Sequence, residues 1–316
     1  MQAAQMFSFG APDVLRVTEV GRPSPGPGEV LVAVGASSVN GHDTLIRAGA
    51  LTIASGRRFP IGTGLDFAGV VAETGPGVDL RAGLPVWGLV HPRGRHAVAG
   101  AAEYVVVPAN RVGALPGGLS MVDAAALVVP GITALAALGP ATRLARGESV
   151  LVRGAAGGVG TAVTQLARAM GGTVTALARS SQREFLTGLG AARVLDYHEV
   201  TPAELDAFDV IVDTVGTELG AYRRRLAKGG RMVTVALSGP AIAAIAASAV
   251  YGPRRIRAFS ANPLTPELDE LARYVAAGSV RPVVDQVFPL ADIAAAHHAF
   301  ARRGVQGRQV VTVTAD

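Results

Sequence analysis

Two textures of apolar and polar positions follow one another along the chain. From Val14 to about Pro116 the apolar runs are short, at Val30–Val34, Gly69–Ala72, Val86–Val90 and Tyr104–Val107, and glycine and proline break them apart. The turn-rich stretch Gly21–Gly28 (GRPSPGPG) is one such break. Short strands with frequent turns predict a compact, mostly β unit. After Ser120 strand-like and helix-like segments alternate. Ser149–Arg153 is a strand followed by a glycine cluster and a helix to Met170. Thr173–Ala178, Arg193–Leu195, Asp209–Asp213, Arg231–Ala236 and Arg255–Ser260 continue as strands, with helices predicted over Gln182–Leu189 and Glu218–Lys228. This alternation predicts a doubly wound parallel sheet covered on both faces, an α/β class. A helix over Pro266–Ala277, a strand over Arg281–Phe288, a helix over Leu290–Arg303 and a strand over Arg308–Val313 close the chain. They lie beyond six strands, so a return to the first unit is expected. The expected division is 1–118, 119–262 and 263–316.

Composition narrows the chemistry. The 316 residues suggest about two domains at roughly 150 residues each. With 49% hydrophobic and 17% charged residues the chain is globular rather than disordered. The absence of cysteine excludes disulfides, thiolate nucleophiles, iron–sulfur clusters and cysteine-based zinc sites. Met1–Gly10 lacks the basic and apolar regions of a signal peptide, and the run Ala241–Val250 is far short of the ~20 residues that span a bilayer. A cytoplasmic protein without a membrane partner is expected. The net charge of +5 comes almost entirely from arginine, and only 5% of residues are aromatic, which argues against a nucleic-acid face.

The sharpest local feature is Arg153–Gly160 (RGAAGGVG), directly after a strand and opening a helix. It has the form AxGxxG, with Ala155, Gly157 and Gly160 at the three fingerprint positions of a dinucleotide-binding turn. Gly157 permits close approach of a pyrophosphate and Gly160 close packing of helix on strand. The other reading is a purely structural turn. At the end of the second strand an NAD site places a carboxylate on the ribose 2′-hydroxyl. Here Thr173–Ser181 has none and offers Arg179, Ser180 and Ser181, with Arg183 beyond. A guanidinium and hydroxyls suit a 2′-phosphate, so NADP(H) is the expected cofactor. A solvated helix start with serine as N-cap is the alternative.

The turn GAAGGVG, together with SVNGHDTLIRAG (Ser38–Gly49), GLDFAGVVAE (Gly64–Glu73), AEYVVVP (Ala102–Pro108), GITA (Gly131–Ala134), DTVG (Asp213–Gly216) and GRQVV (Gly307–Val311), resembles the medium-chain dehydrogenase/reductase superfamily. The likeness covers essentially the whole chain and is to the zinc-independent quinone oxidoreductase, zeta-crystallin-like branch. It implies a GroES-like β domain, a Rossmann domain with a C-terminal return, and an active site in the cleft between domains. It implies cofactor contacts at Asn40 and Thr133 near the nicotinamide, and at Ala156, Gly157, Gly158 and Val159 in the turn. Tyr197 would border the 2′-phosphate. Val215, Ala236, Leu237 and Ser260 would lie in cofactor-facing loops, and Arg308 replaces the usual lysine of the terminal motif. Asn40 and Thr133 also read as turn and cap residues, Val159 as helix packing and Tyr197 as a surface residue. The family tyrosine position holds Leu45, the usual helix lysine falls at Gln182, and the common G-D-x-V turn reads Gly83–Val86.

Where zinc-dependent cousins hold a metal, this chain has Asn40–Gly41 and Gly64–Asp66, so no metal is expected; His42, Asp43, Asp66, His91 and His96 show no ligand spacing. There is no GxSxG elbow or paired-carboxylate constellation at a telling spacing. What remains is hydride transfer from NADPH to a quinone or an α,β-unsaturated carbonyl, with Asn40 or a backbone N–H as oxyanion donor and water as proton source. An acyl-thioester substrate would call for a basic rim, for which Arg57–Arg58 and Arg93–Arg95 are candidates. The competing class is a cofactor-bound crystallin-like or RNA-binding protein without turnover. The sixth strand, Arg254–Ala261, is expected to be a sheet edge that joins a homodimer, with Ile256 and Phe259 as apolar contacts.

Overall fold

In the second half of the chain, apolar runs flanked by glycine turns become strands, the central ones buried on both faces. The computed structural model of the protein describes residues 1–52, 56, 58–90, 97–236, 239–250, 255–259, 261–302 and 304–313. Two compact units emerge. One comprises Pro130–Asn262 with Ala277–Arg281, the other Met1–Val129, Pro263–Ala276 and Pro282–Asp316.

The first of these holds six parallel strands: β9 (Ser149–Arg153), β10 (Thr173–Ala178), β11 (Arg193–Asp196), β12 (Phe208–Asp213), β13 (Leu226–Thr234) and β14 (Ile256–Ala258). Their spatial order is β11–β10–β9–β12–β13–β14, the doubly wound dinucleotide-binding order. Val150, Leu151 and Val152 are wholly buried, as a parallel strand covered by helices on both faces requires. Helix α3 (Gly158–Ala169) buries Ala162, Val163, Leu166 and Ala167, the spacing of one helical face.

Several expectations need correction here. The helix read over Glu218–Lys228 ends at Arg223, as α5 (Leu219–Arg223), and Leu226 already pairs with Phe208 in β13. Burial of Leu226 in the core overrides the helical propensity of that stretch. Strand β14 is only three residues long, and Ile256 packs inside its own unit's core beside Leu226 and Met232. It is therefore not an interface contact. Three helices have no counterpart in the sequence pattern, α1 (Gly41–Arg47), α2 (Met121–Ala136) and α6 (Gly239–Val250). With the π-helical turn that follows it, α2 forms an apolar helix over Met121–Ala141, long enough by length and composition to cross a membrane; most of it is buried in the protein as a core helix would be.

The other unit is built on a seven-stranded sheet. Strands β3 (Glu29–Ser38), β5 (Asp66–Thr74), β6 (Pro85–Leu89) and β8 (Val112–Ala114) follow one another in it, and β7 (Tyr104–Pro108) pairs with β3. The chain end adds β15 (Val284–Pro289) and β16 (Arg308–Thr312), the latter antiparallel to β3 with Val310 opposite Ser38. A three-stranded sheet of β2 (Leu15–Glu19), β1 (Gln2–Met6) and β4 (Ile61–Gly62) completes the strands. Its core gathers Val32, Val34, Phe67, Val86, Val105 and Val311 around Ile293 and Ala296 of α8 (Ile293–Phe300). Helix α1 (Gly41–Arg47) follows β3 directly, and α7 (Thr265–Ala276) and α4 (Arg183–Gly188) are the remaining helices among the described residues.

Candidate active site

At the end of β9 the chain reverses through Gly154, whose φ is +69°, a conformation that favours glycine. The Gly157 N–H closes this turn on the Gly154 carbonyl at 3.1 Å, and α3 starts at the next residue. Gly157 and Gly160 differ in what they make room for. A Cβ at Gly160 would lie 2.2 Å from the Gly154 carbonyl oxygen and 2.6 Å from the Ala155 Cα, so only glycine lets the helix sit this close to the strand. At Gly157 the nearest atom to such a Cβ is 3.6 Å away, which leaves that position open. Gly157 is the N-cap, and no side chain caps the helix there. The first N–H groups of α3 and the positive end of its dipole therefore face outward, ready for an anion. Beside the turn, at the end of β12, stands the loop Thr214–Thr217. These two neighbouring strands are where the strand order reverses, the position at which open α/β sheets bind ligands. A dinucleotide's pyrophosphate fits this cradle.

The ribose end is built by β10 and β11. Arg179 follows β10, and its Nε donates to the Tyr197 hydroxyl at 2.9 Å, leaving the outer guanidinium nitrogens for an anion. Tyr197 is exposed and stacks at a tilt on His198, with ring centroids 4.4 Å apart. Ser180 is exposed and its N–H donates to Asp196 Oδ2 at 2.6 Å. Arg183 donates to the Val194 carbonyl at 2.8 Å. Gln182, at the position of the family lysine, is buried and accepts from the Arg179 N–H through Oε1. Asp196 was not singled out from sequence because it closes the third strand rather than the second. Pairing of Ala178 with Asp196 nevertheless brings this carboxylate beside the end of the second strand. It accepts the backbone N–H groups of both His198 and Ser180, which hold its pKa below the ordinary carboxylate range.

Asn40, expected near the nicotinamide, is a buried N-cap of α1. Its backbone N–H donates to Asp43 Oδ2 at 2.9 Å, and its Nδ2 donates to Asp66 Oδ2 and to the Ser38 carbonyl, both at 3.0 Å. The amide nitrogen expected to serve an oxyanion is thus donating within the chain, while Oδ1 is buried without a partner. Asp66 also accepts the Ser38 N–H and hydroxyl at 2.5 Å each and the Ser37 hydroxyl at 3.3 Å. Burial pushes the Asp66 carboxyl up. Burial, reinforced by the nearby Asp66 charge, takes Asp43 to about 7. Arg308 is buried in the same unit, donating to the Val39 carbonyl at 2.9 Å, and desolvation lowers its pKa. One guanidinium nitrogen is thus held by the backbone beside Asn40, while Nε is buried without a hydrogen-bond partner.

Among the other expected contacts, Thr133 lies in the last turn of α2, half-buried, and the helix runs on past it into the π-helical turn, which excludes the turn or cap reading. Ala156 is buried; Gly158 and Val159 form the first turn of α3 and are half-buried. Val215 is 48% exposed, and Ala236 donates its N–H to Thr234 Oγ1 at 3.1 Å. Leu237, Ser260, Arg57, Arg254 and the segment holding His91, Arg93, Arg95 and His96 lie outside the described residues. Among the described residues no three His, Asp or Glu side chains are grouped to hold a metal ion. Every oxygen of Asp66 already accepts from Ser37, Ser38 or Asn40, so this donor set does not fit zinc.

Comparison with known proteins agrees with this architecture. Residues 26–117 match the model of the alcohol dehydrogenase GroES-like domain, and residues 189–311 that of a zinc-binding dehydrogenase. The quinone oxidoreductase of Rattus norvegicus is 32% identical, over 94% of this chain and 93% of its own length. The structure of the quinone oxidoreductase from Coxiella burnetii superposes with a TM-score of 0.90 at 30% identity, covering 99% of both chains. A mycobacterial protein, Rv1454c, solved as a complex with NADPH, superposes with a TM-score of 0.84 at 26% identity, covering 99% of this chain and 100% of its own. With its GroES-like β unit, its six-stranded dinucleotide-binding sheet and these relatives, the chain belongs to the medium-chain dehydrogenase/reductase superfamily, in its quinone oxidoreductase branch.

Proposed function

We propose that this oxidoreductase uses NADPH to reduce a quinone or an α,β-unsaturated carbonyl, without a metal. The observation that carries the reading is the contrast within the glycine turn: closed against the strand at Gly160, open at Gly157, beneath an uncapped helix N-terminus. When bound, the nicotinamide supplies the hydride. The chain's own part is binding and orientation. The α3 N–H groups take the pyrophosphate, and Arg179, braced by Tyr197, with the Ser180 hydroxyl takes the 2′-phosphate. That Rv1454c was solved with NADPH supports this choice. The Asp196 charge beside Ser180 pulls the other way, toward a free ribose hydroxyl, but its oxygens are held by backbone N–H groups.

Metal independence follows from the donor set just described. An enolate or phenolate conjugated to the reduced centre is stable enough to form without a Lewis acid. Leu45, where the family often has tyrosine, has no acidic proton to give, so solvent delivers it. We also propose a homodimer through the edge of the six-stranded sheet, where β14 is the last strand. The test is NADPH oxidation with a panel of small quinones and enones, before and after exhaustive chelation. Turnover unaffected by chelation is expected. NADPH binding with every acceptor inert would overturn the catalytic reading, and turnover restored only by added zinc would overturn the metal-free one.

A further inference from the structure

Directly behind the glycine turn lies a buried ion pair that the reading above does not use. Arg153, the last residue of β9, is 4% exposed, and its register partner Asp213, the last of β12, is wholly buried. Arg153 Nη1 donates to Asp213 Oδ1 and, at 2.7 Å, to the Thr217 carbonyl; Nη2 donates to the Thr217 hydroxyl at 3.3 Å. The guanidinium lies 3.6 Å from the ring centroid of Tyr222, itself buried. Asp213 spends its other oxygen on the Gly216 N–H at 2.8 Å and the Thr234 hydroxyl at 2.9 Å. The main chain of Arg153 is tied to the same loop from its other end: the Thr214 hydroxyl and N–H both donate to its carbonyl, at 2.8 and 3.2 Å. The Thr214 hydroxyl also fills the space a Cβ on Gly154 would need, 2.3 Å away.

We propose that Arg153 is a positioning residue for the cofactor: clamped between Asp213 and Tyr222, it holds the Thr214–Thr217 loop against the glycine turn and so fixes the cradle that meets the dinucleotide. The inference rests on the NADPH reading above. A buried ion pair is weak evidence for stability by itself, because desolvation offsets the attraction, so a positional role is the better account of it. Removing one partner leaves an uncompensated buried charge. The planar guanidinium matters too: a lysine ammonium cannot reach Asp213, both Thr217 groups and the Tyr222 face at once.

The experiment uses the full chain and three variants, Arg153→Lys, Arg153→Met and Arg231→Met. Arg231 makes a bidentate but less buried ion pair with Glu148 in the same unit, at the end of β9 opposite the glycine turn, and serves as the stability control. NADPH affinity is read by fluorescence well below each melting temperature, and hydrogen exchange is read at the Gly216 amide. Both Arg153 variants are expected to weaken NADPH at least ~10-fold and to speed exchange at Gly216, with Arg231→Met destabilised but binding as wild type. Should Arg153→Met fail to fold, Arg153→Lys and Asp213→Asn carry the same comparison. Wild-type affinity in the Lys variant, or in Asp213→Asn, would reduce the pair to a structural role and overturn the proposal. Failure of the wild-type protein to bind NADPH would instead overturn the cofactor reading itself.

Discussion

Two alanine substitutions three residues apart separate what the glycine turn does for folding from what it does for binding. At Gly157 φ is −74°, a value alanine adopts without strain, and the added methyl meets nothing closer than 3.6 Å. Gly157→Ala therefore leaves stability nearly unchanged, the gain of about 0.4–1 kcal/mol through the unfolded chain being offset by the poorer N-cap that alanine makes. The same methyl stands where the pyrophosphate must approach, so NADPH affinity falls at least ~10-fold, about 1.4 kcal/mol. At Gly160 the methyl would meet the Gly154 carbonyl oxygen at 2.2 Å and the Ala155 Cα at 2.6 Å, both backbone atoms that no rotamer change can move. Overpacking of this kind costs about 1–3 kcal/mol, against about 1 kcal/mol regained from replacing a helical glycine. The backbone contacts put the cost at the upper end, so Gly160→Ala should lose roughly 1–2 kcal/mol. Urea unfolding followed by circular dichroism measures the first quantity and fluorescence titration with NADPH the second. The reasoning fails if Gly157→Ala binds NADPH like wild type, or if Gly160→Ala unfolds at the wild-type urea midpoint.

Other outcomes follow from the same geometry. Arg179→Ala should weaken NADPH by roughly tenfold to a hundredfold, the loss of a charged hydrogen-bond set, and leave NADH nearly unchanged; equal losses for both cofactors in parallel titrations would contradict it. Asp43 has a folded pKa near 7, above its ordinary 3.8, so its contribution to stability is complete below about pH 4 and is lost as pH rises through 7. The difference in unfolding free energy between wild type and Asp43→Asn should accordingly drift by a few kcal/mol between pH 4 and 8, and a pH-independent difference would refute the assignment. For the dimer, light scattering at micromolar concentration should give twice the 32.1 kDa monomer mass, and a monomer across the whole range would remove it.

Much of the nucleotide-binding unit was legible in the sequence because its signals are local. The AxGxxG turn, the apolar runs of β9 and β12 and the alternation between them each depend on neighbours within a few residues. The helix expected over Glu218–Lys228 was misjudged because the fate of Leu226 was set by pairing with Phe208, eighteen positions away. Helix α2 was missed because a helix buried all round has no polar face to give it a period.

Local pattern determined that this chain folds around a parallel sheet and carries a dinucleotide turn with a basic residue, not a carboxylate, ending the second strand. Tertiary structure alone decided which groups meet there. Asp196 reaches Ser180 only because β11 pairs with β10 in the register that sets Asp196 against Ala178. Arg153 reaches Asp213, sixty positions on, only because the strand order reverses between β9 and β12 and places the two strand ends side by side. Asn40 is held by Asp66 through the pairing of β3 with β5, and Arg308 reaches the Val39 carbonyl because β16 closes on β3. A side chain's type and period are properties of the chain near it, whereas its partner across a sheet depends on register and strand order, which are settled by burial of the whole core.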